Sequence, residues 1–307
     1  MEPAERAAEA AQRMSTVAAQ EVRVEAAEAR AGALRDGLLR TGLGLGLGFI
    51  LLPLVIIVAY SFSSVAYGVF PPPGLSWRWY TNLLHQGGFQ GAFLRSVGIG
   101  LAATALAVVS GTLSALALVR ARLRGQDLLR AFLLSPIVMP KIGLGVGWFI
   151  FFARLGLQGG VVPLILAHTI VILPFVITIV AANLVGLDPS LEEAAQDLGA
   201  SPPTVLWRIV LPQIRVGMAI SALLAFIVSF DQVESSIFLT RGENNTLPIE
   251  MFLYMEKWQD PTIAALSALL IVFAGALVAG VVLISRGTDL RRVLFREAAS
   301  PQPQRSR

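Results

Sequence analysis

Val161-Val-Pro-Leu-Ile-Leu-Ala-His-Thr-Ile-Val-Ile-Leu-Pro-Phe-Val-Ile-Thr-Ile-Val-Ala-Ala-Asn-Leu184 decides the fold class, because these residues contain no Asp, Glu, Lys or Arg. An apolar run of about 18 or more residues, rising about 1.5 Å per residue, is long enough to cross ~30 Å of hydrocarbon as a helix. Apolar and polar residues do not alternate strictly along it, so a barrel strand does not fit. Five further blocks of this kind lie at roughly 41–62, 91–119, 128–153, 217–240 and 262–285. The reading is therefore an all-α polytopic membrane protein with six transmembrane helices. The membrane domain occupies 41–286, between an Ala/Glu/Arg-rich tail at 1–40 and a basic tail at 287–307.

Composition agrees with this. Of 307 residues, 55% are hydrophobic and only 14% charged, where soluble domains carry about 25% charge. There is no cysteine, which removes disulfides and Cys-based metal sites. The isoelectric point near 9.9 does not mark a nucleic-acid binder. The basic residues sit at the ends of apolar blocks and in the tails, where they set topology. Eighteen Lys and Arg fall in the N-terminal tail, the second and fourth connections and the C-terminus; four fall on the other side. That asymmetry places both termini in the cytoplasm. In the outward connection at 63–90, Trp77, Trp79 and Tyr80 read as interfacial anchors.

The fourth connection, about 186–216, is the one strongly patterned polar segment. Asp188 and Pro189 suit a helix start, and Glu192 and Glu193 favour its positive end. Gly199 suits the left-handed position that ends a helix. Ser201 and Pro202 begin a second helix, which Pro212 is expected to stop. Ala194 and Ala195 leave a flat face that suits insertion into a partner's cleft. The segment also has the look of a DNA-binding helix-turn-helix, but it is short, net acidic and tethered to the bilayer at both ends.

Glu193-Ala194-Ala195, Gly199, and Ile209, Leu211 and Pro212 resemble, in residue type and spacing, the EAA signature of binding-protein-dependent ABC importer permeases. The resemblance extends over most of 41–286. Ser61-Phe-Ser-Ser64, Trp79-Tyr80, Arg120-x-Arg-x-Arg-Gly125, Ser135-Pro136, His168, Leu173-Pro-Phe175, Ser229-Phe-Asp231 and Leu247-Pro248 are similar to the second permease of spermidine/putrescine-type importers. The resemblance implies a type I importer permease of the inner membrane, working by alternating access, with the EAA residues forming the ATPase-coupling element. It implies two cytoplasmic ATP-binding subunits, a second permease subunit of a different chain and a periplasmic binding protein. No phosphate-binding G-x-x-x-x-G-K-[ST] sequence is present, so ATP and Mg are expected to be used by the partner subunit, with no cofactor bound by this chain.

Charges inside hydrocarbon are expensive, so Lys141, His168, Asp231 and Glu234 are the candidates for the substrate path or gate. Lys141 and Asp231 fall at similar depths in the third and fifth blocks, and Glu234 is expected three residues further along the same helix face. Two readings stay open: a buried Lys141–Asp231 pair that neutralises itself, or a set of groups lining the path. For His168 a hydrogen-bonded packing role is the simpler reading. The substrate is expected to be a small polar, amine-containing solute. The rival to an importer is an ion-coupled secondary transporter using the same residues as a relay. No catalytic or metal site is expected.

Overall fold

The computed structural model describes residue 32 and residues 35–66, 68–121 and 123–285. Arg122 of the basic run, the tail residues 1–31, 33 and 34, and the tail at 287–307 lie outside the described residues. The chain divides into two units, Met1–Ala59 and Tyr60–Arg307. Helix α1, Arg35–Ser61, accounts for the described part of the first and starts within the segment assigned to the tail. The only β pairing among the described residues is an isolated bridge between Ser63 and Leu75.

In the second unit α3 (Gly87–Arg120), α6 (Val161–Val185) and α9 (Leu211–Phe230) pack as a central trio. The buried side of α3 carries Ala103, Ala107, Gly111 and Ala115, each four residues from the last. Lipid tails are as apolar as the helices, so cohesion must come from close packing, which small residues permit. At Gly111 an added Cβ would lie 2.8 Å from Val176 Cγ1, and at Gly217 one would lie 2.4 Å from the Asn183 side-chain amide. Val171, Ile172, Val176, Val180, Leu184 and Ile214 fill the core between the three helices.

Around the N-terminal end of α3 gather α2 (Arg78–His85), α10 (Leu247–Lys257) and α11 (Thr262–Ser285). Asn82 Nδ2 donates to Thr262 Oγ1 at 2.8 Å, and the Leu247 N–H donates to Ser96 Oγ at 2.7 Å. Trp79 departs from the anchor reading. Its ring is buried and Nε1 donates to Ser63 O at 2.6 Å, while Trp77 stays exposed.

Two expected spans are corrected. The third is not one straight helix. From α4 (Gln126–Leu134) the chain passes through a 3-10 turn at Ser135–Ile137 and bends by 99° into α5 (Lys141–Arg154). Pro140 stands at the break, where it removes a backbone donor and disfavours helix at the preceding residue. The fifth span ends at Phe230 rather than near 240, and it begins well before 217, since Pro202–Phe230 runs as one helix. Five helices are long and apolar enough to cross a membrane, and α4 with α5 supplies a sixth if the bent pair is one span.

Candidate functional site

The segment between α6 and α9 builds the first candidate region. Helix α7 covers Ser190–Asp197, with Glu192 and Glu193 in its first turn. Asp188 Oδ1 accepts the Ser190 N–H at 3.0 Å, and this hydrogen bond holds the Asp188 carboxyl below its ordinary pKa. Gly199, at φ +86°, ends the helix. The Gly199 N–H reaches Gln196 O at 2.8 Å and the Ala200 N–H reaches Ala195 O at 3.0 Å, the paired bonds of a Schellman ending. Ser201 in extended backbone and Pro202 then open α8, Pro202–Val205.

Pro212 does not stop this second helix. A π-turn covers Leu206–Val210, the Leu211 N–H reaches back to Leu206 O, and α9 follows without a break. The extra residue in the turn relieves the clash of the Pro212 ring with the preceding carbonyls, so the helix continues although Pro212 supplies no backbone donor. The candidate residues separate into two faces. Ala195, Ile209 and Leu211 pack against the central core. Glu193, Ala194, Gly199 and Pro212 are exposed, beside Leu198, which is 90% exposed, and Trp207, which is 70% exposed. An ion pair joins Arg120, at the end of α3, to Glu192.

The second region lies where α9 stops. Asp231 follows the last residue of α9 and is exposed, its N–H bonded to Ile227 O at 3.1 Å. Residues 232–240 form turns and a short 3-10 segment, so Glu234 is not on the helix face that a continuous span would give it. Lys141 Nζ lies 3.7 Å from Glu234 Oε1, with side chains 43% and 46% exposed. Of the two open readings, the buried Lys141–Asp231 pair is overturned in two respects: the partner is Glu234 and neither group is buried. Early termination of α9 causes both, because it turns the chain toward the start of α5. A Cβ at Gly145 of α5 would lie 2.9 Å from Ser235 Cα, which shows how closely the two segments meet.

His168 stands apart from these charges. It is buried, with Nδ1 2.8 Å from Ser229 Oγ and Nε2 2.7 Å from Ser236 Oγ, and so ties α6 to the end of α9. Sequence reasoning missed Ser236 as a partner of His168, and it missed Gln232 and Ser235, which form a separate set of hydrogen bonds beside Glu234. Gln232 Nε2 donates to Glu234 Oε2 at 3.1 Å and to Ser235 Oγ at 3.0 Å, orienting the carboxylate toward Lys141. The polar run from Ser229 to Ser236, inside a block taken as a span, was the available signal. The negative end of the α9 dipole points at the same place, and such helix ends favour cations. Among the described residues no group of three or more His, Cys, Asp or Glu could hold a metal ion.

Residues 107–288 match the family described as binding-protein-dependent transport system inner membrane component. The chain belongs to this family. It is 34% identical over 238 residues to the spermidine/putrescine transport system permease protein PotC of Haemophilus influenzae, covering 78% of this chain and 92% of that protein. The putrescine transport system permease protein PotI of Escherichia coli K12 is 33% identical, with 75% and 84% covered. The molybdenum transport system permease protein ModB of Mycobacterium bovis is also 33% identical, with 77% and 93% covered. Among solved structures, a bacterial ABC transporter that imports the acidic polysaccharide alginate aligns with a TM-score of 0.60 at 18% identity, over 85% of this chain and 97% of that one. The chain is accordingly a multi-pass membrane permease component of an ABC importer, and the ion-coupled secondary transporter is set aside.

Proposed function

We propose that α7 is the helix that docks on a cytoplasmic ATPase, with Glu193, Ala194 and Gly199 at the contact and Ile209, Leu211 and Pro212 fixing α8 and α9 behind it. The observation that carries this is the two-faced geometry of the loop. Ala195 packs against the core, while Leu198 and Trp207 are left exposed. Exposed apolar residues on a rigid, polar-rimmed element mark a protein contact. On this reading the α7 end of the bundle and both termini face the cytoplasm. The assembly comprises two ATP-binding subunits, a second permease of a different chain and a periplasmic binding protein. ATP and Mg are used by the ATPase subunits.

The solute is amine-bearing and polyamine-like. Asp231 and Glu234 at the negative end of α9 favour an ammonium group, and the relatives PotC and PotI are named for spermidine and putrescine. ModB, named for molybdenum, is also 33% identical, so the shared fold does not select the solute, whereas the charged turn favours a cation. The test is co-purification of the ATPase with the tagged chain, comparing wild type with Gly199→Asp and Glu193→Arg. Retention by wild type and loss from both variants is expected. Normal binding by both variants would refute docking through α7.

A further inference from the structure

The ion pair between Arg120 and Glu192 joins the longest described helix to the helix that carries the loop motif. Arg120 is the last residue of α3 and Glu192 lies in the first turn of α7, so each charge sits at the helix end whose dipole favours it. The two side chains are only 30% and 19% exposed, which shields the pair from the screening that weakens surface ion pairs. Helix α7 also packs against α8 and the π-turn, and its Ala195 meets the central core. About 38 Å along α3 from Arg120, the other end of the helix grips a different segment. Arg95 Nε donates to Asn245 O at 3.0 Å, and Ser96 Oγ accepts the Leu247 N–H at 2.7 Å. That segment continues from the turn bearing Asp231 and Glu234 into α10. Between its two grips α3 is unbroken and contains no proline, and its small residues hold it against α6.

We propose that Arg120 and Glu192 are positioning residues. Their pair is the joint through which a displacement of α7 moves α3, and α3 carries that displacement to the Asn245–Leu247 segment at its far end. The inference rests on the reading of α7 as the docking helix. It adds a rod with a joint at one end and a grip at the other.

The test uses the complete importer, with its ATPase, second permease and binding protein, reconstituted in vesicles. Arg120→Glu, Glu192→Arg and the double reversal are compared with wild type and with Glu193→Arg. ATPase co-purification, ATP hydrolysis and uptake per ATP hydrolysed are measured. Both single reversals keep the ATPase bound and hydrolysing, while uptake per ATP falls by at least about fivefold, the scale of a typical coupling term. The double reversal regains about half of the loss, short of full recovery because the exchanged charges oppose both helix dipoles. A pair that merely held the fold together would lower yield and hydrolysis alongside uptake, without changing their ratio. Single reversals with wild-type uptake per ATP, or a double reversal no better than the singles, overturn the proposal. Loss of the ATPase from the single reversals also overturns it, since the pair would then belong to docking. Retention of the ATPase by Glu193→Arg is a separate failure, of the docking reading itself.

Discussion

Replacing His168 by phenylalanine separates a structural role from a path-lining one. The substitution keeps a planar ring in a buried position and removes both hydrogen bonds, to Ser229 Oγ at 2.8 Å and Ser236 Oγ at 2.7 Å. Side-chain hydrogen bonds between membrane helices average about 0.6 kcal/mol, so the two together contribute about 1.2 kcal/mol. Two hydroxyls left unpaired in the interior would raise the cost toward about 2–6 kcal/mol. Ser229, in the last turn of α9, can turn to a carbonyl of its own helix, which lowers that bound. We expect a destabilisation of about 1–3 kcal/mol, and domains of 150–250 residues lose about 2–4 °C per kcal/mol. The assay is thermal unfolding of the assembled importer in detergent, followed by intrinsic fluorescence, with uptake measured in parallel. The expected result is a midpoint lowered by several degrees, with half-saturating solute unchanged and uptake per folded importer within about twofold of wild type. An unchanged midpoint with altered half-saturation would refute the reasoning, because His168 would then touch solute rather than hold α6 to α9.

Three further outcomes follow from the same geometry. Gly217→Ala forces a methyl against the Asn183 amide and is expected to cost about 1–3 kcal/mol in thermal unfolding, whereas in an Asn183→Ala background the cost disappears; additive effects would sink the packing account. Gly199→Ala places a side chain at φ +86°, costing about 1–2 kcal/mol at the end of α7, so retention of the ATPase falls. Gly199→Asn, which tolerates that backbone better, should retain more, and equal retention by the two would remove the conformational argument. Lys141→Met frees Glu234 from its cation 3.7 Å away and is expected to raise uptake of a diamine relative to a monoamine, each delivered at saturating binding protein. An unchanged ratio in Lys141→Met and in Asp231→Asn would remove these groups from the path.

The membrane class was readable because a helix must satisfy its backbone within lipid, so crossing segments announce themselves as long apolar runs. The loop around α7 was readable for a similarly local reason. Asp188, Gly199, Ser201 and Pro202 act on their own backbone, and their structures match the local reading. Pro212 did not follow its local rule, because a π-turn five residues long absorbed the ring. Hydropathy also ran past the end of α9, since Val233, Ile237, Phe238 and Leu239 look like span residues. Only the fold shows that this stretch leaves the helix at Phe230 and turns toward α5.

That difference decides the charged cluster. Sequence alone determined that Lys141, His168, Asp231 and Glu234 are costly in hydrocarbon and need partners. Tertiary structure alone decided which partners they have: Glu234 for Lys141, two serines for His168, and an exposed helix end for Asp231. The physical reason is range. Burial preference, helix ends and glycine conformations are properties of a residue and its nearest neighbours, whereas the meeting of residues 141 and 234 depends on where two helices break and how closely Gly145 lets them approach.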